Sequence, residues 1–315
     1  MSTKPLSSIG LDFDSTAIRG ARIELAPGGS ETMYVLKQLE QVRGSFTKDE
    51  ALISGLKQIR DKLQISAADR LVTCVSGKQV YAAQMPFKKL PAAEMKNALR
   101  IEIRKSLPFE SSGSIIEYQP IDGNDKADVG EYFVTAVANI LLDRHLQILG
   151  KAGLKPSSVD VLPAAVANTL YAGVTDLEQG NAYVMIHVGP SVCTLVIDGR
   201  GAQFFHRTIY FVAEEMFGEA QPATPLPQRE WDRRMTALGD EVVRSISFYE
   251  KSYRGSKIGG VYLLGDYAKN EHLKTTIQSR TGLYVNHTGI ASQLGNKDEA
   301  IQGIYEIALA LALRN

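Results

Sequence analysis

A duplicated α/β architecture is predicted for this 315-residue chain, because one order of elements is written twice: three antiparallel strands, an amphipathic helix, then a further strand. Three observations carry the prediction. Each half opens on an apolar run that turns through small polar residues into a second apolar run. Each half then shows helical spacing followed by a short apolar run. The two halves are separated by a segment with its own alternating strands and its own helix.

In the first half, Ile9-Gly-Leu-Asp-Phe-Asp14 turns at Ser15-Thr16 into residues 18–25, which reads as a β-hairpin. Pro27-Gly-Gly-Ser30 is turn chemistry and residues 33–42 supply a third strand. Thr47 and Glu50 have capping-box spacing, and Leu52, Leu56, Ile59 and Leu63 share one helical face behind them. Residues 71–76 are apolar and β-branched, as a buried strand requires. In the second half, residues 183–189 turn through Pro190-Ser191 into residues 192–198, with a third strand at 204–212, a long helix at 231–253 and a strand at 260–264. Between the halves, strands are expected to end at Met85 and to cover 115–121 and 132–138, with helices at 91–107 and 140–153 and an exposed turn at 123–128. The expected domains are therefore 1–77, an α+β insertion at 78–163, and 164–315. A short loop at 213–230, marked by Pro222, Pro225 and Pro227, stands where a further lobe could be inserted.

Composition bounds the function. Lysine plus arginine and aspartate plus glutamate both total 35, so no overall field draws the chain toward nucleic acid or an anionic membrane. Cys74 and Cys193 stand far apart without companions at metal-ligand spacing, which fits a reducing cytoplasm. The N-terminal residues are polar, so no export signal is expected, and the apolar runs at 133–142 and 307–313 fall short of a bilayer span. The face formed by Ile301, Ile304, Ala308 and Leu311 has too few basic neighbours for a membrane-surface helix and is expected to pack internally. Ser76-Gly-Lys78 lacks Walker spacing, there is no GxSxG elbow, and no metal-ligand cluster is written in the chain.

Three segments stand where the actin, hexokinase and Hsp70 superfamily places its nucleotide loops: GLDFDST (10–16), HVGPSVCT (187–194) and VYLLGDY (261–267). Within that superfamily the chain resembles the FtsA-like PilM family of type IV pilus assembly. The resemblance rests on Met85-Pro86, ALRIEIRKSLPF (98–109), Glu117-Tyr-Gln119, VDVLP (159–163), SISFY (245–249) and ALALALR (308–314), and covers nearly the full chain. It implies duplicated actin-like (ribonuclease-H-like) domains with a family-specific α+β insertion and a reduced second-lobe insertion. It also implies a nucleotide site built on Asp12, Asp14, Ser15, Thr16, His187, Gly189, Ser191, Gly265 and Asp266, with ATP and magnesium as its cofactors.

Each loop departs from the superfamily pattern. Asp14 stands where a glycine is usual, and two carboxylates a few ångströms apart repel by about 1–4 kcal/mol depending on screening. His187 replaces an aspartate, Val192-Cys193 replaces a hydroxyl, and Asp266 follows Gly265 where paired glycines are usual. The simpler reading of Asp12, Ser15 and Thr16 is a satisfied hairpin turn, and that of His187 is a hydrogen-bonded core histidine. The expected role is thus a cytoplasmic, non-catalytic scaffold, peripheral at the inner membrane. The resemblance implies as partners the cytoplasmic tail of a PilN-like inner-membrane protein and pilus assembly motors, with Arg100, Arg104 and Lys105 as the candidate partner surface. The alternatives are a functioning Mg-ATPase or kinase of the same superfamily, or a PilM relative serving type II secretion or a mannose-sensitive pilus.

Overall fold

The computed structural model describes residues 7–25, 34–121, 128–218, 226–253 and 255–314. The turn expected at Pro27-Gly-Gly-Ser30, most of that at 123–128, and Pro222 and Pro225 lie outside the described residues.

The first sheet begins with β1 (Ser7–Phe13), β2 (Ala17–Leu25) and β3 (Tyr34–Arg43), followed by α1 (Asp49–Lys62) and β4 (Arg70–Val75). The middle of the chain forms β5 (Val80–Lys88), α2 (Ala92–Ile103), β6 (Ser114–Ile121), β7 (Val129–Ala138), α3 (Asn139–Lys151), β8 (Ser158–Val161) and α4 (Leu162–Gly173). The second half contributes β9 (Asn181–Val188), β10 (Val192–Asp198), β11 (Phe205–Tyr210), α5 (Ala213–Phe217), α6 (Gln228–Ser252), β12 (Lys257–Leu264), α7 (Glu271–Thr281), β13 (Val285–Asn286), α8 (Ile290–Gln293) and α9 (Glu306–Leu313).

The two large sheets have the same topology, β3-β2-β1-β4-β8 and β11-β10-β9-β12-β13, in each case three antiparallel strands continued by two parallel ones. The period-two pattern explains how β9 holds both of its faces in cores. Val184, Ile186 and Val188 pack with α6 residues Val242 and Tyr249, while Tyr183 and Met185 point the other way toward Ala165, Leu170 and Leu311. In the first half Leu56 and Ile59 of α1, with Leu63 at its C-cap, bury against Ile9, Leu11 and Ile18, as their spacing predicts. The capping box does not form. Lys48 stands at the N-cap without a side-chain bond, because the loop before α1 is fixed by Phe46 N donating to Ser15 O. Asp49 and Glu50 in the first turn still oppose the helix dipole favourably.

Two domain boundaries shift. Only 80–138 form the separate three-stranded sheet, in the order β5-β7-β6 with α2 on one face. The chain then returns to the first lobe, where Ile148 and Leu149 of α3 join the α1 core and β8 pairs parallel to β4. Order along the chain alone cannot show on which sheet a helix packs, which is why 78–163 overshoots. Likewise the C-terminal helix belongs to both halves. α9 lies on β1 so closely that a Cβ on Gly10 would stand 1.8 Å from Ala308 O, and Ser8 Oγ donates to Ala312 O at 2.7 Å. The expected 301–311 face is shortened to a helix starting at Glu306, buried from that residue through Ala312. At 213–230 the expected loop carries the short helix α5, and α6 starts at Gln228. Among the described residues no helix is long and apolar enough to cross a membrane.

Candidate functional site: an interlobe carboxylate cluster and a groove

The turn joining β1 and β2 is closed by Asp14, whose Oδ1 accepts from Thr16 N (2.7 Å), Thr16 Oγ1 (2.7 Å) and Ala17 N (3.0 Å). The carbonyls of Ser15 and Thr16 accept from Phe46 N and Gly44 N. Ser15 and Thr16 therefore secure the hairpin to the loop before α1, the local role that short polar residues have in tight turns.

Arg19 stands opposite Asp12 in the β1–β2 register, in the run 17–21 that is buried throughout. Its side chain is only 2% exposed and reaches three carboxylates: Asp12 Oδ2 at 3.0 Å, Asp14 Oδ2 at 3.0 Å and Asp266. At Asp266, Nε donates to Oδ1 at 2.7 Å and a terminal nitrogen is ion-paired with Oδ2 at 2.6 Å. Asp12 and Asp14 come from the first sheet and Asp266 from the end of β12 in the second, so one guanidinium joins the two halves. A buried charge is tolerated only when paired, and here the pairing is threefold. Burial pushes the Asp12 carboxyl up, against the opposing pull of Arg19. At Asp14 burial also pushes up, but the Arg19 charge and the Thr16 hydrogen bonds prevail, and its pKa falls.

His187 on β9 is buried beside this cluster. Its imidazole is held below the ordinary range by burial, Asp12 pulling up and Arg19 pushing down. Gly265 has φ +96° and packs against the end of β9, with Val188 O 2.7 Å from where a Cβ would stand, so glycine is required there. That turn aims Asp266 at Arg19. Gly189 N donates to Val192 O at 3.0 Å in the β9–β10 turn, where Ser191 is exposed. Of the nucleotide-loop residues, the structure thus gathers Asp12, Asp14, His187 and Asp266 around Arg19, and leaves Ser15, Thr16, Gly189 and Ser191 in turn geometry. Arg19 itself is missed by motif reading. Its signal was a charged residue on the strand face otherwise occupied by Ala17, Ala21 and Ile23, seven residues after a similarly placed aspartate.

A second feature is a groove of about 1850 Å³. One wall is the face of the small sheet opposite α2. Cross-strand pairs Ile115–Val137, Glu117–Thr135 and Gln119–Phe133 line it, while Ile116, Tyr118, Val134 and Ala136 point back to α2. The facing wall is α4 with β8, closed at its ends by Phe204 and Leu313. Phe133 packs edge-on against Phe204, with ring centroids 4.9 Å apart. Arg100, Arg104 and Lys105 do not line it. Arg100 ties α2 to β6 through the carbonyls of Ser111 (2.7 Å) and Ser114 (3.0 Å), and Arg104 and Lys105 are exposed on the far side of the sheet.

The family model described as type IV pilus assembly protein PilM matches residues 10–221. The chain belongs to the PilM family. Among solved structures, the PilM-PilN type IV pilus biogenesis complex matches with a TM-score of 0.76 at 20% identity, over 98% of both chains. The ethanolamine utilization protein EutJ from Carboxydothermus hydrogenoformans matches with 0.53 at 13% identity, over 100% of this chain and 92% of its own. A Bacteroides thetaiotaomicron protein with an actin-like ATPase fold matches with 0.50 at 9% identity, over 92% and 95%. These establish the duplicated actin-like fold for this PilM family member. No sequence among curated proteins matches it.

Proposed function

We propose that this PilM family member is a non-catalytic scaffold of type IV pilus assembly that holds the cytoplasmic tail of a PilN-like inner-membrane protein in the groove, and is peripheral at the membrane through that partner. The observation that carries the reading is the groove itself. A rigid sheet face with an apolar strip, Ile115, Phe133 and Val137, bordered by Glu117, Gln119 and Thr135, suits an extended peptide whose alternate side chains are apolar. A PilN chain accompanies the matched PilM structure, which supports the choice of partner. The nucleotide loops support the non-catalytic part: carboxylates that would orient magnesium through water are engaged by Arg19. Motor proteins as further partners belong to the same proposal, and the identity of the captured tail decides between a type IV pilus and a type II secretion or mannose-sensitive pilus system.

The test is fluorescence anisotropy with a labelled synthetic peptide of the N-terminal cytoplasmic segment of a PilN homologue. Ile115 is 45% exposed in the groove, so Ile115→Lys keeps the fold and should weaken binding at least tenfold. Charge reversal at Arg104 and Lys105 should leave affinity unchanged. Equal affinity of Ile115→Lys and wild type, or loss on reversing Arg104 and Lys105, would move the site out of the groove.

A further inference from the structure

The resemblance to nucleotide-binding relatives places a ligand between the two halves of the fold, yet the space between Asp12, Asp14 and Asp266 already holds a cation supplied by the chain. We infer that Arg19 is a built-in interlobe strut, a guanidinium site whose resident ligand is part of the protein, and that it keeps the two halves closed without nucleotide. This rests on the nucleotide-free part of the proposed function and goes beyond it, since it assigns a cause for closure.

The geometry is that of a ligand site. Arg19 donates from Nε to Asp266 Oδ1 at 2.7 Å and brings a second nitrogen within 2.6 Å of Oδ2 as an ion pair, so the contact is a charge-assisted hydrogen bond reinforced by a second close charge. The remaining donors turn back to Asp12 and Asp14 on its own side of the cleft. Asp266 is gripped from the first sheet by more than Arg19: Gln41 Nε2 donates to Oδ1 at 3.1 Å, and Arg43 stands 3.6 Å from Oδ2. All three donors lie on β2 and β3, whereas their acceptor is on the β12–α7 turn. That turn is stiff. Gly265 N donates to Gly303 O at 2.8 Å, and Ala268 N to Gly265 O at 3.0 Å. Both ends of the strut are therefore seated on rigid backbone, and closure has a fixed geometry.

The same geometry opposes nucleotide. A phosphate chain entering here would displace a 2%-exposed guanidinium and meet the uncompensated charges of Asp12, Asp14 and Asp266. Replacing Asp14 and Asp266 by glycine removes two of those charges but leaves Arg19 in the space, so those two changes alone do not rebuild a magnesium site.

Amide hydrogen exchange on the full chain tests the strut. In the variant Arg19→Met with Asp14→Asn and Asp266→Asn, which leaves Asp12 as the cluster's one remaining carboxylate, amides at 264–270 and 12–17 should exchange about tenfold faster or more, while those of β5 and β7 keep wild-type rates. In wild type, millimolar Mg-ATP should change neither segment. Arg19→Lys gives a second comparison that keeps the charge and loses the guanidinium's spread of donors, and should also raise exchange at 264–270. Wild-type rates in both variants would overturn the strut, as would protection of wild type by Mg-ATP. The tail-peptide affinity reads the other proposal separately: a strut failure shows in exchange with peptide binding intact, and a groove failure the reverse.

Discussion

Replacing Glu306 by glutamine should stabilise the protein above neutral pH, and the size of the effect follows from where the carboxyl sits. Glu306 is the first residue of α9 and 1% exposed. Burial pushes its carboxyl from an ordinary value near 4.5 up to about 7, against the downward pull of hydrogen bonds from Thr288 and the amides of Gly303 and Ile290. The folded state thus holds a proton that the unfolded chain releases earlier. Stability is lost as pH rises from about 4.5 to about 7 and is level above that, with a total near 3 kcal/mol at 1.36 kcal/mol per unit. His145 runs the other way, because burial lowers it to about 4 and stability is gained as pH rises from about 4 to 6.5. The wild-type profile is therefore partly cancelled, and the difference between Glu306→Gln and wild type isolates the glutamate. Urea melts at pH 5, 6, 7 and 8 should show the variant close to wild type at pH 5 and more stable by up to about 3 kcal/mol at pH 8. Parallel profiles, or a variant less stable at pH 8, would refute the claim that the carboxyl is neutral in the fold at low pH and strained at high pH.

Gly10→Ala should lower stability by about 1–3 kcal/mol or more and blur the α9 packing, since its Cβ would stand 1.8 Å from Ala308 O and 2.7 Å from Ala312 N, both rigid backbone; thermal melting checks this. Calorimetry of the Asp14→Gly, Asp266→Gly double variant should show no Mg-ATP binding tighter than about 1 mM, or −4.1 kcal/mol. Cys193 lies in the second-lobe core with its thiol pushed up to about 12, and Cys74 is likewise raised well above its ordinary range by burial. Mass spectrometry after iodoacetamide at pH 8 should find neither alkylated until denaturant is added.

Much of the fold was legible because it is written in local pattern. The hairpin at Ser15-Thr16, the α1 face of Leu52, Leu56 and Ile59, and the second hairpin at Pro190-Ser191 all depend on neighbours in sequence. What was not legible depends on docking. The helix at 139–151 has the same periodicity whether it covers the small sheet or the first lobe, and only Ile148 meeting the α1 core decides. The four residues of β8 are too few to carry a pattern. On β6 the alternation of Ile115, Glu117 and Gln119 with Ile116 and Tyr118 announces a two-faced strand, but which face becomes groove follows from where α2 lands. The partner surface was sought on that helix because its charges are visible in sequence. The groove wall carries few charges and shows itself only as shape. Arg19 falls between these cases: its strand position was readable, its third carboxylate, 247 residues away, was not.

The two candidate features are joined by one stretch of chain, and that connection favours a scaffold over an enzyme. Gly303 O holds the turn that presents Asp266 to Arg19, and Glu306 three residues later begins α9. α9 then runs along β1, fixed at Gly10 and Ser8, and ends where Leu313 and Arg314 line the groove, Arg314 pairing with Asp160 at 2.5 Å. A cleft that opened and closed with each nucleotide would move the start of this helix relative to the sheet on which it lies, and with it the groove's end wall. With Arg19 in the cleft the start is pinned, and under the proposed function the groove would meet a tail peptide already shaped, so less ordering would be lost on binding. On the proposed reading, a strut that keeps the lobes closed suits a protein that holds a tail, because it removes the motion that a turnover cycle needs.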